Sequence, residues 1–435
     1  MKIIIATLFL TGTVWSLLYA GPTHAELAQH WAPVIYHDTN DSYGYDAEYI
    51  TNVDFDGNWS GTDNWENLYY YDLPAYVYYS VTETTTHWFI NYNAFHPRDD
   101  GPSGDQHEND FEGGLLMIRK DGSYYGRFEL MLTLAHDQIY QYTNESFQTA
   151  EDDVDDGVLF DGHRPLSYIQ ANGFSGTGNG HGWKGYNGDP ARGGDGIVYY
   201  YGGWAEFPDD GTGDFVNEYS YDLKSMDELW SRRFLSELFY DFGVMRGDTH
   251  KDNAVKMPWY WDDGDDGPVF NGAMWSDPAH MVDTHLTNLG SFSRTYVSNN
   301  NYTHKVEISQ VISLDNRDSF GGKSDIYVKV YVDGTRYWDD RLGKRNNANK
   351  GSVYYPAMGR DNASVDTYDG YTNDIFIAKP AGSQVVIEVW DSDTGNDDFM
   401  GSIAFTLQAG QSRSGYQQTT SNGDARVTYN VSCVQ

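Results

Sequence analysis

Short segments in which apolar and polar residues alternate, each closed by a glycine- or aspartate-rich turn, recur along the chain and restrict it to a mostly β fold. Strand side chains point to opposite faces with period two. The run from Ser324 to Val332 shows the pattern, with Ile326, Val328, Val330 and Val332 on one face and Asp325, Tyr327, Lys329 and Tyr331 on the other. Ala75–Val81 and His87–Ala94 predict a hairpin across Thr82–Thr86. Gly113–Arg119 and Tyr124–Tyr142 flank Lys120-Asp121-Gly122-Ser123 and predict a second, with Asp-Gly in its turn. Strands are also expected at Pro165–Ala171 and Ile197–Tyr201, with a glycine-rich loop over 173–188 between them. The 36 tyrosines suit half-buried strands, because each joins an apolar ring to a polar tip. One helix is expected. Ser225 and Glu228 form a capping box ahead of Met226, Leu229, Trp230, Phe234, Leu235, Leu238 and Phe239, and Gly243 stops it.

With 435 residues the chain is long enough for two or three domains. Lys2 precedes an apolar run from Ile3 to Ala20, and Thr23-His24-Ala25 offers a small–x–small cleavage site. Residues 1–25 therefore read as a secretory signal peptide, and the expected location is extracellular. Cys433 is the single cysteine, so no internal disulfide can form and an exported fold must rely on its core and on bound ions. The formal net charge of −36 argues against nucleic acid, which demands a basic surface. Unrelieved, such charge repels itself in a compact state, and divalent cations would lower that cost. The expected organisation is a β-sandwich domain with peripheral helices over residues 26–290, a polar linker over 291–304 and a second β-sandwich over 305–435.

In the C-terminal part, two acidic loops adjoin strands. Asp318 and Asp325 bracket Ser-Phe-Gly-Gly-Lys-Ser, and Asp391, Asp393, Asp397 and Asp398 follow the strand that ends at Trp390. Calcium takes six to eight oxygens in a flexible cage, which carboxylates clustered on two loops can supply. The pattern resembles the C2 family of calcium- and phospholipid-binding domains. That resemblance implies Asp318, Asp325, Asp391, Asp393 and Asp398 as ligands, with the choice between Asp397 and Asp398 open. The first-loop pair is spaced one residue wider than in the family, and Ile326 stands in place of its proline.

In the N-terminal part, His96–Arg119 reads HPRDDGPSGDQHENDFEGGLLMIR. Asp110 and Glu112 share a face where a strand begins, and His107 needs a turn of the chain before Asp110 to join them. Asp99 closes the preceding strand, and the loop between can fold it back towards His107. Carboxylates with a single imidazole favour magnesium, calcium or manganese over zinc. The segment over roughly 75–135 resembles the necrosis- and ethylene-inducing-peptide-like cytolysins, and more broadly sandwich proteins of the Vps62 type. The resemblance implies a metal-containing pocket lined by Asp99, His107, Asp110 and Glu112 and directed at membrane sphingolipid. Asn109 and Phe111 stand where that family has His and Trp.

A second cluster, Gly178–Trp183, places His181 between glycines on a loop open to a ligand. His107 and His181 are the candidates for acid–base work. His136 and His163 read as structural, and Glu151–Asp156 and Asp262–Asp266 as solvated turns. The chain has no G-x-S-x-G, HExxH or P-loop motif. The leading expectation is a secreted, calcium-dependent protein that targets a membrane lipid or glycolipid headgroup and is toxin-like in action. The alternatives are a metal-dependent secreted hydrolase acting on phospholipid or glycan, and an extracellular protein that binds polysaccharide.

Overall fold

The computed structural model describes residues 21–39, 44–99, 106–135, 138–149, 154–171, 180–188, 195–233, 235–241, 244–248, 255–261, 273–276, 278–299, 304–315, 323–339, 345–356, 374–377, 382–393, 397–408 and 412–433. Asp318, His136 and the run Asp262–Asp266 lie outside them.

The first unit is built on one long, strongly curved sheet. Its strands are β1 (Val34–Asp38), β2 (Tyr76–Thr84), β3 (His87–Asp99), β4 (His107–Arg119), β5 (Arg127–Ala135), β6 (Gln138–Tyr142), β8 (Phe160–Asp161), β9 (Arg164–Ile169), β10 (Trp183–Gly185), β11 (Gly196–Tyr201), β12 (Asp214–Ser225) and β16 (Tyr296–Asn299). The spatial order is β10-β9-β1-β11-β12-β2-β3-β4-β5-β6, with β8 on β9 and β16 on β2. Two small pairs stand apart. They are β7 (Gln148–Thr149) with β15 (Leu286–Thr287), and β13 (Phe239–Asp241) with β14 (Val244–Met245). Both expected hairpins form, as β2–β3 and β4–β5.

Strand parity sorts the sheet into two cores. Trp88, Ile90, Tyr92 and Ala94 of β3, with Leu116 and Ile118 of β4, join Ile35, Ile169, Ile197 and Tyr199 inside the curve. Phe89, Phe95, Phe111, Leu115 and Met117 face the other way, against a cluster of Trp259, Trp275, Met257 and Leu229. Residues with the inner parity at one end of β1, β3 and β4 are polar: His37, His96, Asp110 and Glu112. The curve closes where β10 meets β5 and β6, and two glycines permit the approach. A Cβ on Gly182 would lie 2.8 Å from that of Ala135, and one on Gly185 2.6 Å from the Tyr142 ring.

The helices are short: α1 (His24–Trp31), α2 (Asn64–Asn67), α3 (Asp227–Ser231), α4 (Ala273–Ser276) and α5 (Pro278–His285). The long helix expected after Ser225 is therefore corrected to one turn and a half. Its N-cap is Met226, without a side-chain cap, and Ser225 Oγ instead accepts from Asp227 N. Successive turns follow to Phe239, which pairs with Met245 as a strand. The segment expected as a linker also differs. Tyr296–Asn299 pairs with β2, while Arg119 donates to the carbonyls of Leu289 and Ser291.

At the start of the described chain, α1 carries a full capping box between Thr23 and Glu26, and His24 pairs with Glu83 at 3.5 Å. Thr23 and His24, expected at a cleavage site, are thus part of this fold.

The second unit is a two-sheet sandwich. One sheet orders β21-β17-β26-β25, with β22 on β17, from β17 (His304–Ser313), β21 (Val353–Tyr354), β22 (Asp374–Ile377), β25 (Arg413–Thr419) and β26 (Ala425–Cys433). The other orders β19-β18-β23-β24, with β20 on β18, from β18 (Ser324–Val332), β19 (Thr335–Asp339), β20 (Arg345–Ala348), β23 (Gln384–Asp391) and β24 (Asp398–Thr406). Alternating residues fill the space between, including Val306, Ile308, Val328, Val330, Val385, Ile387 and Val427. The units touch at Arg233, whose guanidinium lies 4.1 Å from the Trp230 ring centre and 4.8 Å from that of Tyr337.

Candidate metal centres

Antiparallel pairing of β3 with β4 sets the first centre. It places His96 opposite Asp110, Ala94 opposite Glu112 and Asp99 opposite His107. Asn109 has φ +63°, a left-handed conformation at the point where the chain must re-aim His107 and Asp110. Its side chain locks the kink. Nδ2 donates to the carbonyls of Gly61 and Arg246, and Oδ1 accepts from Asn64. His107 Nδ1 then donates to the Asn109 carbonyl at 2.7 Å, with Nε2 3.5 Å from Asp99.

His181, just before β10, is carried by sheet closure onto Asp110. Its Nδ1 is 2.8 Å from Asp110 Oδ2, its Nε2 is 3.3 Å from Glu48 Oε2, and its side chain is fully buried. Gly182 beside it serves close packing rather than access, so the part of the expected open loop from Gly180 to Gly182 is buried, while Gly178 and Asn179 lie outside the described residues. His96 stacks on His181 at 3.6 Å between ring centres, nearly parallel, and its Nε2 lies 2.9 Å from His37 Nε2. His37 Nδ1 donates to the Asp38 carbonyl at 2.7 Å. Ligand atoms of His96, Asp110 and His181 all lie within 4.8 Å of one another.

The charges follow from this packing. Burial alone would drive the proton from His181, but hydrogen bonds to Asp110 and Glu48 outweigh it and raise the group to about 10. Burial likewise opposes the Asp110 charge, and the bond to His181 overcomes it, so its carboxyl stays below the usual range. His37 falls to about 3 and His96 falls well below its ordinary value, mainly by burial and then by the nearby His181 charge. The centre thus holds one imidazolium between two carboxylates, with two neutral imidazoles beside it. Asp38 and Glu108 are each pushed up to about 7 by burial.

Of the ligands expected from the sequence, Asp110 is central, Asp99 and His107 form a pair beside it, and Glu112 follows on Asp110's face. His37, Glu48 and His96 were not anticipated. His96 was legible, since hairpin register puts it opposite Asp110. His37 and Glu48 come from distant segments that no local pattern connects.

The second centre lies at one end of the sandwich. Asp325 N donates to Asp391 Oδ1 at 2.5 Å, and Asn347 N donates to Asp325 Oδ1 at 2.8 Å. Asp397 Oδ2 accepts from the Tyr327 hydroxyl at 2.7 Å, and its Oδ1 accepts from Asp393 N at 3.3 Å. Asp391 is buried, Asp393 and Asp397 are half-buried, and Asp398 is exposed opposite Asp391 in the β23–β24 ladder. These links join Asp325 to Asp391 and Asp393 to Asp397 where β18, β23 and β24 meet at one end of the sandwich.

Residues 303–350 and 371–421 match the C2 domain family. No curated protein matches the chain. Among solved structures, a C2 domain is 16% identical over 30% of this chain and 97% of its own, with a TM-score of 0.23. The tandem C2 domains of extended synaptotagmin 2 are 15% identical over 34% of this chain and 48% of theirs, with a TM-score of 0.22. Necrosis and ethylene inducing protein 2, from the causal agent of witches' broom disease of cocoa, is 15% identical over 48% of this chain and 76% of its own, with a TM-score of 0.25. The C-terminal region is thus similar to C2 domains, and this chain is also similar to a necrosis- and ethylene-inducing protein.

Proposed function

We propose that the protein is an exported, lipid-directed protein whose C2-type unit docks on membrane through calcium, bringing the centre of the first unit to a lipid or glycolipid headgroup. The observation that carries this reading is the match of residues 303–350 and 371–421 to the C2 family, with Asp325 linked to Asp391 and Asp393 to Asp397 at one end of the sandwich. Calcium held there can bridge these carboxylates to lipid phosphate. A chain of net charge −36 needs such a bridge to approach an anionic surface. The resemblance of the sequence around His107 and Asp110 to the cytolysins supports membrane damage as the outcome, with the buried centre as the part that engages the headgroup.

Sedimentation with phosphatidylserine-containing vesicles tests the docking step. The protein should pellet with calcium and stay in solution with a chelator. Asp391→Asn with Asp393→Asn should raise the calcium requirement by at least about tenfold, because fewer ligand charges weaken such sites. Equal pelleting with and without calcium would overturn it. Dye release from the same vesicles tests the second step, and it should require Asp110 as well as calcium.

A further inference from the structure

We propose that His96, His181 and Asp110 form a site for a first-row transition-metal ion such as zinc, held in place by His37 and Glu48, rather than a magnesium or calcium site. The inference deepens the reading of the first unit and is independent of docking by the second.

Magnesium and calcium take oxygen ligands, whereas imidazole suits zinc, iron, copper and nickel. One imidazole among three carboxylates favours a hard ion, and two imidazoles with one carboxylate reverse that preference. The outer hydrogen bonds point the same way. A metal-binding histidine almost always donates its far N–H to a carboxylate, carbonyl or similar acceptor, which fixes the tautomer. His181 Nε2 faces Glu48 at 3.3 Å, leaving Nδ1 to a metal on the Asp110 side. His37 Nδ1 donates to the Asp38 carbonyl, so its Nε2 carries a lone pair and accepts from His96 Nε2 at 2.9 Å. That leaves His96 Nδ1 to a ligand. This nitrogen is fully buried and has no hydrogen-bond partner, which is an unusual state for a polar atom.

Charge suits the site as well. A divalent ion beside the buried carboxyl groups of Asp110 and Glu48 brings two positive charges, and a proton that it displaces from His181 Nδ1 leaves to solvent, with no change of oxidation state. Two donors on a tetrahedral ion with bonds of about 2.0 Å lie about 3.3 Å apart. His181 Nδ1 and Asp110 Oδ2, now 2.8 Å apart, need only separate slightly. The His96 and His181 rings must tilt from their parallel stack to converge.

Zinc binding to the chelator-stripped full chain, measured by calorimetry in excess calcium and magnesium, tests the site. Wild type should bind one more zinc per chain than His96→Asn. Glu48→Gln and His37→Phe should weaken that zinc about 10–100-fold, the usual effect of losing an outer partner. Asp391→Asn should leave it unchanged. X-ray absorption of zinc-loaded wild type should find two imidazole ligands, and this needs no variant to fold. All-oxygen ligation, full displacement by equimolar calcium or magnesium, or undiminished zinc in a folded His96→Asn would overturn the inference. Loss of zinc with calcium-dependent vesicle docking intact would separate this site from the docking reading.

Discussion

Replacing Asp110 with Asn should destabilise the first unit by an amount that itself depends on pH, because the partner lost is the buried imidazolium of His181. Breaking one side of a buried ion pair costs about 3–5 kcal/mol. Neutral Asn can still hydrogen-bond, so the lower end applies near pH 7. The folded chain holds the His181 proton to about pH 10, whereas an unfolded chain releases it near the ordinary histidine value of about 6.5. The proton's contribution is therefore complete below about pH 6.5 and lost as pH rises towards 10. One proton corresponds to about 1.4 kcal/mol per pH unit, so wild type should lose about 2–2.5 kcal/mol from this group between pH 7.5 and 9.5. In Asp110→Asn only Glu48 holds the proton, and the loss finishes at lower pH. The cost of the substitution should then shrink by a comparable amount between pH 7.5 and 9.5. Urea unfolding in chelator, followed by the tryptophans of the first unit, measures both. An equal cost at the two pH values would refute the assignment of charge to His181.

Three further substitutions probe the frame around the centres. Gly182→Ala should cost about 1–3 kcal/mol in urea unfolding, since its Cβ would meet Ala135 at 2.8 Å and Gln170 Oε1 at 3.0 Å; an unchanged midpoint would mean that β10 does not close on β5 as described. Arg233→Ala should lower stability by about 2 kcal/mol or more through lost packing on Trp230 and Tyr337, and calorimetry should show the two units unfolding less cooperatively. Thr23→Ala should cost about 1 kcal/mol by removing the cap of α1. A chain beginning at Glu26 should melt below one beginning at Gly21.

The sequence was most legible where local pattern and tertiary burial agree. Both hairpins follow from alternation, and their turns follow from chain chemistry. The helix expected after Ser225 failed because burial overrode periodicity. Leu229 and Leu238 reach the core from separate turns, and Phe239 pairs with Met245 instead of extending a helix. The expected linker failed for the opposite reason. Its Ser, Asn and Thr residues are polar, yet polarity is no bar to an edge strand, and Arg119 fastens the stretch through backbone carbonyls that composition does not reveal. At the first centre, the expected Asp110 is joined by a histidine one strand away in register and by two residues from remote segments. Glu48 lies on a short 3-10 turn and His37 on β1, and only closure of the sheet unites them with His181.

The two centres solve the problem of gathered carboxylates in different ways, and the difference bears on what each can do. Inside the curve, Asp110 and Glu48 are both buried, where an uncompensated charge is costly, and His181 supplies the compensation from within the chain. The bonds of His181 to Asp110 and Glu48 hold that centre together from within the chain. At the end of the sandwich, Asp325, Asp391 and Asp397 are held by backbone N–H groups and a tyrosine hydroxyl. Those bonds orient the carboxylates but add no positive charge, and under the proposed function a cation from solution supplies it and turns the outer face positive towards lipid phosphate. Under the proposed function the centre at the end of the sandwich therefore acts as the calcium-triggered dock. The buried centre, where His181 offsets part of the charge of Asp110 and Glu48, is under the further inference the site of a softer ion.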